Sequence, residues 1–321
     1  MANGHATRMG GDDAAGGADV RTVSVSDGRD VAYAEYGDSD GVPVVFLHGT
    51  PGSRLLGEIF DERARRDGVR LLALDRPGYG RSDPWPARTL SDTGSFVTAV
   101  LDDAGVSRAG VVGFSGGGPH ALAVAATHGE RVQRVDVVAG AVPPSRRESP
   151  PLALRVLEIL ASATPTLARG LSRLQSVLVA RSDPSAVVSQ YTDSRDADGI
   201  SSAVSELVKR DFVEALANHR SGFVAETRTL AREWDFSMGN VTSAVQLWHG
   251  GRDSNVPVEG AQRLAEQLPD ATLTVLDDAD HLRTLLQSGD RILEEYGRES
   301  DGNEIESVES TSNAGHSASR S

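Results

Sequence analysis

A Gly-x-Ser-x-Gly pattern surrounds Ser115, after an apolar strand-like run and before a helix-like run. A strand-to-helix turn of this kind is strained, and it leaves no room for side chains at Gly113 and Gly117. The Ser115 hydroxyl would stand exposed at the helix N-terminus, where the backbone amide of Gly116 points at a developing negative charge. The same pattern occurs in ordinary glycine-rich turns, so the assignment of Ser115 as a nucleophile depends on partners elsewhere in the chain.

Two such partners follow Ser115 in the order Ser, Asp, His that this turn requires. Asp253 comes after a β-like run at 245–248, and His281 comes after a β-branched run at 271–276. Both residues would lie at carboxyl ends of strands, where open α/β sheets collect their functional groups. We therefore predict that His281 takes the proton of Ser115 and that Asp253 holds the imidazole in the useful tautomer.

A second glycine-rich turn follows the apolar run at 44–47 and begins with His48 and Gly49. A turn in this place can supply one donor of an oxyanion hole. We predict that this donor is the backbone amide of Thr50, paired with the amide of Gly116. We expect His48 to pack and hydrogen-bond the loop rather than to transfer protons.

Together with the Asp-Arg-Pro-Gly-Tyr-Gly-Arg-Ser segment at 75–82, these motifs resemble the α/β-hydrolase superfamily over roughly residues 23–296. The His-Gly-Thr-Pro-Gly form at 48–52 is similar to the branch that includes epoxide hydrolases, haloalkane dehalogenases, prolyl aminopeptidases and many small esterases. Epoxide hydrolases and dehalogenases use an aspartate at the elbow, whereas this chain has Ser115, which favours acyl chemistry. The resemblance implies an α/β fold with a mostly parallel eight-stranded sheet flanked by helices.

The chain divides into five predicted parts. They are a disordered N-terminal tail over 1–19, a first core part over 20–142, a helical cap over 143–235, a second core part over 236–297 and a disordered acidic tail over 298–321. In the core parts, strand-like runs alternate with helical patterns, as a parallel sheet covered on both faces requires. These runs lie near Thr22, Val31, Val44, Leu71, Val111, Val135, Val245 and Thr272.

The predicted cap contains amphipathic helical patterns at 152–163, 167–180, 200–218 and 222–234. The resemblance implies that such a cap, inserted after strand 6, roofs the active site and shapes the substrate pocket. Phe114 and Trp234 are candidates for lining that pocket, although Trp234 fits equally a role in sealing the return to the core.

The leading interpretation is a serine hydrolase that cleaves a small or medium carboxylic ester through an acyl-enzyme intermediate. One alternative is a prolyl-aminopeptidase-like peptidase, which needs acidic side chains in the cap to hold the substrate ammonium; Glu206, Asp211 and Glu214 could form such a cluster. Another is a non-catalytic protein of this fold that binds a small molecule. Perhydrolysis through the same acyl-enzyme is a further possibility.

Composition excludes several classes of function. The net charge is −14, with 46 acidic and 32 basic residues, which argues against nucleic-acid binding. The absence of cysteine excludes disulfides, a thiol nucleophile and a Cys-ligated zinc site, and the histidines show no metal-ligand spacing, so we expect no metal and no cofactor.

No apolar run is long enough to span a membrane, and the first residues lack the apolar stretch of a signal peptide. We expect a cytoplasmic protein whose partner is a small-molecule substrate; the oligomeric state stays open. Lys209 is the single lysine of the chain. Salt adaptation and GC-rich codon usage both account for this acidic, lysine-poor composition.

Overall fold

The computed structural model describes residues 18–146, 165–192 and 199–316. Its centre is an eight-stranded sheet in the order β1-β2-β4-β3-β5-β6-β7-β8. The strands are β1 (Val20–Ser24), β2 (Asp30–Gly37), β3 (Val42–Leu47), β4 (Val69–Leu74), β5 (Ala109–Phe114), β6 (Val132–Val138), β7 (Val245–Gly250) and β8 (Ala271–Leu276). β2 runs antiparallel to β1 and β4, and the other neighbouring pairs are parallel. The predicted fold class and all eight strand-like runs are confirmed.

Helices cover both faces of this sheet. The α-helices are α1 (Asp61–Arg66), α2 (Thr93–Asp103), α3 (Gly117–Thr127), α4 (Pro165–Arg181), α5 (Pro184–Val188), α6 (Ser202–Ala215), α7 (Ser221–Leu230), α8 (Val258–Ala265) and α9 (His281–His316). Short 3-10 helices span Arg54–Phe60, Gly129–Arg131, Pro144–Arg146 and Met238–Asn240. Helices α4 to α7 lie in the long connection between β6 and β7, residues 139–244, which is called the β6–β7 segment below.

Two hydrophobic clusters lie on opposite faces of the sheet, and β3 shows why. Successive side chains of a strand point to opposite faces. Val44 and Phe46 therefore belong to one cluster, while Val45 and Leu47 belong to the other. Buried residues of the β6–β7 segment, such as Phe212, join the first cluster, so this segment packs as a continuation of the core on that face.

Some sequence predictions outside the sheet need correction. The disordered tail predicted from residue 298 differs from the structure, because α9 continues to His316. Arg134 forms ion pairs with Glu295 and Glu299, and the second pair ties the helix to the sheet beyond Tyr296. Helix α5 was not predicted. The helix predicted at 152–163 and the tail predicted up to residue 17 lie outside the described residues.

The described parts of the chain hold no helix with the length and apolar character needed to cross a bilayer. They also hold no group of three His, Asp or Glu side chains arranged to ligate a metal ion.

Gly110 in β5 gives a test of how tightly α9 packs on the sheet. A Cβ at this position would overlap the ring of Tyr296, which is fully buried and held by its hydroxyl donating to Asp136 Oδ2 at 3.0 Å. We expect Gly110→Ala to lower the free energy of unfolding in urea by roughly 1–3 kcal/mol, the usual cost of overpacking. Gly170→Ala, on α4 with nothing within 4 Å, is the matched control and should stabilise by roughly 0.5–1 kcal/mol. Equal effects of the two substitutions would contradict this packing.

Candidate active site

The turn between β5 and α3 has the geometry of a nucleophile elbow. Ser115 adopts φ of 52°, a left-handed conformation that is strained for a residue with a side chain. A Cβ on Gly113 would lie 2.5 Å from the carbonyl oxygen of Gly117, and one on Gly117 would overlap the carbonyl oxygen of Leu47. The two glycines are therefore required by the close approach of backbones around Ser115. The Ser115 amide donates to Val138 O at 2.8 Å, which fixes the elbow to β6.

Asp253 and His281 meet beyond the carboxyl ends of β7 and β8. His281 is the first residue of α9, and its Nδ1–H donates to Asp253 Oδ2 at 2.6 Å. The other carboxylate oxygen accepts the amides of Asn255 and Val256, each at 2.9 Å. Burial opposes ionisation of this carboxyl, but the His281 ring and these hydrogen bonds outweigh it and hold the pKa of Asp253 below its ordinary value. Asp253 is therefore an ionised acceptor that fixes the ring orientation of His281.

The His281 ring faces the elbow through its contact with Phe114. The two ring centroids are 5.0 Å apart, and Phe114 directly precedes Ser115 in the chain. Among the described residues, no hydrogen bond joins Ser115 Oγ to His281 Nε2. Hydrogen bonds between nucleophile and base often tighten only when the substrate binds. The structure thus brings the serine, the histidine and the aspartate to one edge of the sheet.

The loop after β3 lies directly against the elbow. A Cβ on Gly116 would overlap Thr50 Oγ1, and one on Gly49 would lie 3.5 Å from Ser115 Cβ. Within the described residues, the backbone N–H groups of Thr50 and Gly116 donate no hydrogen bond. Two neighbouring amide donors beside the serine hydroxyl are the elements of an oxyanion hole.

His48 lies under this loop and is completely buried. Its Nδ1–H donates to Gly49 O at 2.7 Å, and its Nε2 accepts the amide of Arg76 at 3.2 Å. Burial, followed by the charge of Arg76, lowers the pKa of His48 well below its ordinary value. A neutral imidazole with both nitrogens engaged supports the loop and has no free position for proton transfer.

A cavity of about 20 Å³ opens on the serine, room for one or two water molecules. The sheet and its loops contribute Gly49, Thr50, Pro51, Leu56, Phe114, Ser115 and Leu282 to its walls, and the β6–β7 segment contributes Tyr191, Val208, Asp211 and Phe212. The walls are therefore largely apolar, and Asp211 is their one acidic residue.

The sequence model of the alpha/beta hydrolase fold family matches residues 42–285, more than half of the chain. The chain belongs to the α/β-hydrolase fold family. The matched range contains the elbow, the loop after β3, Asp253 and His281.

Individual relatives of this α/β-hydrolase carry different activities in their names. The non-heme chloroperoxidase of Streptomyces lividans is 39% identical over 128 residues, which are 38% of this chain and 45% of that protein. The proline iminopeptidase of Neisseria gonorrhoeae is 35% identical over 117 residues, 35% of this chain and 36% of that protein. The alignments thus span less than half of both curated relatives.

Solved structures share the fold over most of the chain. An esterase from Exiguobacterium antarcticum covers 86% of this α/β-hydrolase and matches over 98% of its own length, with a TM-score of 0.65 and 20% identity. An alpha/beta hydrolase fold protein from Nakamurella multipartita covers 86% with a TM-score of 0.59 and 25% identity. The likeness to the esterase, at its low identity, shows the fold alone.

Of the two predicted pocket residues, the structure places only Phe114 in the cavity wall. Trp234 lies elsewhere: its ring stacks on Phe236 with centroids 5.6 Å apart and packs against the cluster that contains Leu90 and Leu230. Trp234 therefore does not line this cavity. Its contacts agree with the other role that the sequence allows, in sealing the return from the β6–β7 segment to the core.

The three acidic residues proposed to form a cluster on α6 have different surroundings. Asp211 is buried in the cavity wall and accepts both the amide and the hydroxyl of Ser53 at 2.7 Å. Glu214 pairs with Arg54 at 2.6 Å, while Glu206 is exposed. Of the three, Asp211 alone belongs to the wall of the cavity at Ser115.

Sequence reasoning missed two residues near the site. The Tyr191 ring lies parallel to that of His281, with centroids 6.4 Å apart, and its carbonyl oxygen accepts the Leu282 amide. Glu226 on α7 is fully buried beside Thr50. The sequence does mark Glu226, because this residue lies on the apolar face of α7 between Phe223 and Leu230. A carboxylate on such a face implies a buried charged partner.

The titration of Asp211 gives a pH-dependent stability that can be measured. Burial raises the pKa of Asp211 from 3.8 to about 7, although the Ser53 hydrogen bonds oppose this rise. At a pH between 3.8 and about 7, folded Asp211 keeps a proton that the unfolded chain releases. Asp211 therefore makes the wild type lose stability as pH rises from about 5 to about 8. We expect the free energy of unfolding of Asp211→Asn, relative to wild type, to increase by about 2 kcal/mol over that interval. A difference that is independent of pH in urea titrations would contradict the assignment.

Proposed function

We propose that this α/β-hydrolase hydrolyses a small or medium carboxylic ester through an acyl-enzyme on Ser115. The observation that carries the proposal is the strained Ser115 backbone at the elbow, which lines a cavity together with Thr50, directly precedes Gly116 and lies beside the Asp253–His281 pair. These groups are the nucleophile, oxyanion donors and oriented base that acyl transfer needs.

The proposed reaction has two halves. Ser115 Oγ attacks the carbonyl carbon while His281 Nε2 takes its proton, and the amides of Thr50 and Gly116 bind the negative oxygen. The tetrahedral intermediate collapses when His281 gives that proton to the leaving alcohol. Water then attacks the acyl-enzyme with His281 again as base, which returns Ser115 and releases the acid. Asp253 stays ionised throughout and stabilises the imidazolium.

The walls of the cavity support an uncharged acyl group. Phe114, Tyr191, Val208 and Phe212 offer apolar surface, and the last three come from the β6–β7 segment. We propose that this segment is the helical cap and that its α5 and α6 ends select the substrate. Ligand pockets of this kind combine apolar walls with a few polar groups that fix orientation.

Covalent labelling by a fluorophosphonate tests the nucleophile without any choice of substrate. We expect intact-mass detection of one adduct on the wild type and none on Ser115→Ala. On p-nitrophenyl acetate and butyrate, Ser115→Ala should lower kcat by several orders of magnitude, on the scale of about 10⁶ for loss of a serine nucleophile.

Ser189→Ala is the matched control, because Ser189 is an exposed serine of the β6–β7 segment whose hydroxyl bonds only within its own turn. It should label and turn over substrate as the wild type does. A fall in kcat of less than about tenfold in Ser115→Ala would remove Ser115 from the nucleophile role. A folded wild type that forms no adduct would favour the non-catalytic, ligand-binding alternative.

A second candidate, an aminopeptidase acting on an N-terminal residue, is favoured by Asp211. Asp211 lines the same cavity as Ser115, and its hydrogen-bond partners, the amide and hydroxyl of Ser53 among them, are neutral groups. It could hold a substrate ammonium, and the relative from Neisseria gonorrhoeae is named a proline iminopeptidase.

Prolyl-naphthylamide, its N-acetyl derivative and a naphthyl ester separate the two candidates. A peptidase should cleave only the free-amine amide, and Asp211→Asn should raise its KM by about 10- to 100-fold, the worth of a buried charge-assisted contact. Glu206→Gln, which removes an exposed carboxylate on the same helix, should leave KM unchanged. Turnover of the ester alone, at equal rates in both variants, would exclude the peptidase.

A further inference from the structure

A cluster of buried charges lies behind the predicted oxyanion hole, and Glu226 is at its centre. This carboxylate, on α7 of the β6–β7 segment, forms ion pairs with Arg76 and Arg88, and the three side chains are at most 1% exposed. Glu226 Oε2 lies 2.8 Å from Arg88 and 3.2 Å from Arg76 Nε, and Oε1 accepts from Arg76 and from the hydroxyl of Thr50. Glu226, Arg76 and Arg88 are called the Glu226 cluster below.

Arg76 connects this cluster to the backbone of the loop after β3. Its guanidinium donates to His48 O and, at 3.0 Å, to Gly49 O. Gly49 O also accepts Nδ1–H of His48 at 2.7 Å, so this carbonyl group is held from two sides.

The held carbonyl determines where the Thr50 amide points. Gly49 C=O and Thr50 N–H belong to one planar peptide group, and this bond is trans, so the two point in opposite directions. Fixing Gly49 O toward Arg76 therefore fixes Thr50 N–H in the direction away from Arg76, and Thr50 shares the cavity wall with Ser115. The side chain of Thr50 is held as well, because its hydroxyl donates to Glu226.

The electrostatics keep the cluster charged. Burial opposes ionisation of Glu226, but the two guanidinium groups and His120 outweigh it and hold the pKa of Glu226 well below its ordinary value. An ionised Glu226 keeps Arg76 in place, whereas Arg76 without it would be a buried charge with no counter-ion. Because an unpaired buried charge is costly, the orientation of Arg76 depends on Glu226 of α7.

We propose that Arg76 and Glu226 are positioning residues that aim the Thr50 amide into the oxyanion hole, so that α7 of the β6–β7 segment helps to set transition-state stabilisation. The inference rests on the proposed acyl transfer at Ser115. The oxyanion forms only during reaction, so the pair should affect kcat far more than KM.

Arg76→Lys and Arg88→Lys form a matched pair for the test. Both shorten a buried guanidinium that binds Glu226, but Arg88 donates otherwise to Pro77 O at 2.7 Å and does not contact the loop. We expect Arg76→Lys and Glu226→Gln to lower kcat for p-nitrophenyl butyrate about 10- to 100-fold, with KM within about twofold of the wild-type value. The reason is that a Thr50 amide pointing away from the oxyanion stabilises it little more than an absent donor would. Arg88→Lys should keep kcat within about threefold of the wild-type value, even where it lowers the melting temperature as much as Arg76→Lys does.

A thionoester substrate distinguishes an effect on the oxyanion from general damage. Sulfur accepts hydrogen bonds weakly, so a thionoester gains little from the two amides. The ratio of kcat/KM for ester over thionoester should fall about tenfold in Arg76→Lys and Glu226→Gln and stay unchanged in Arg88→Lys. Thr50→Val, which removes the hydroxyl without removing a buried charge, should shift the ratio in the same direction and covers the case in which Glu226→Gln does not fold.

Crystal structures of Arg76→Lys and Arg88→Lys complete the test independently of activity. We expect the Gly49–Thr50 peptide to rotate in the first and to stay in place in the second. Equal losses of kcat in the two lysine variants, an unchanged substrate ratio or an unmoved peptide would overturn the inference. If the wild type forms no Ser115 adduct, the proposed function fails, and the peptide orientation in these structures still decides whether Arg76 positions Thr50.

Discussion

The close approach of two backbones, at the elbow after β5 and the loop after β3, is the constraint on which the site depends. Gly117 packs against the carbonyl oxygen of Leu47 with no space for a Cβ, and Gly116 packs equally closely against the Thr50 side chain. β3 and β5 are neighbours in the sheet and run parallel, so both loops leave from the same edge. The strain at Ser115 is the local consequence of bringing a hydroxyl and two amides together at that edge.

The buried carboxyl groups show how partners decide ionisation when burial is the same. Asp211 and Glu226 both lie on helices of the β6–β7 segment and both are buried. Glu226 faces two guanidinium groups, and its pKa falls well below the ordinary value. Asp211 receives hydrogen bonds from neutral groups, chiefly the amide and hydroxyl of Ser53, and burial raises its pKa to about 7. One carboxyl group is thus a fixed charge behind the site, and the other is a titratable group inside it.

The sheet and the elbow could be predicted from sequence because their signals are local. A strand shows a short apolar run, and the elbow requires glycines at fixed positions on either side of Ser115. The Asp253–His281 pair followed from chain order and from the position of each residue after a strand. The Ser53 contacts of Asp211 and the Arg54 ion pair of Glu214 join residues about 160 positions apart, and no local pattern encodes them.

Some predictions rested on a segment's own residues and left out the contacts that the fold supplies. The residues after 297 are poor in apolar side chains, which indicates disorder when they are considered alone. In the structure Arg134, on β6, pairs with Glu299, and α9 continues to His316. Trp234 lies near the end of the predicted cap, and the sequence leaves open whether it lines the pocket or seals the return to the core. In the structure its ring stacks on Phe236, two residues further along the chain.

The β6–β7 segment therefore contacts the site in two ways, through apolar side chains on α6 and through a buried carboxylate on α7. The two kinds of contact constrain its sequence differently. On α6, Val208 and Phe212 form apolar walls of the cavity, where a change of volume alters the shape of the pocket but leaves no charge unpaired. On α7, Glu226 neutralises Arg76 behind the oxyanion loop, where even an isosteric neutral replacement leaves a buried cation uncompensated. Under the proposed function, substrate preference can change through α6 with little effect on Ser115 and its partners, whereas α7 has to keep the carboxylate that neutralises Arg76.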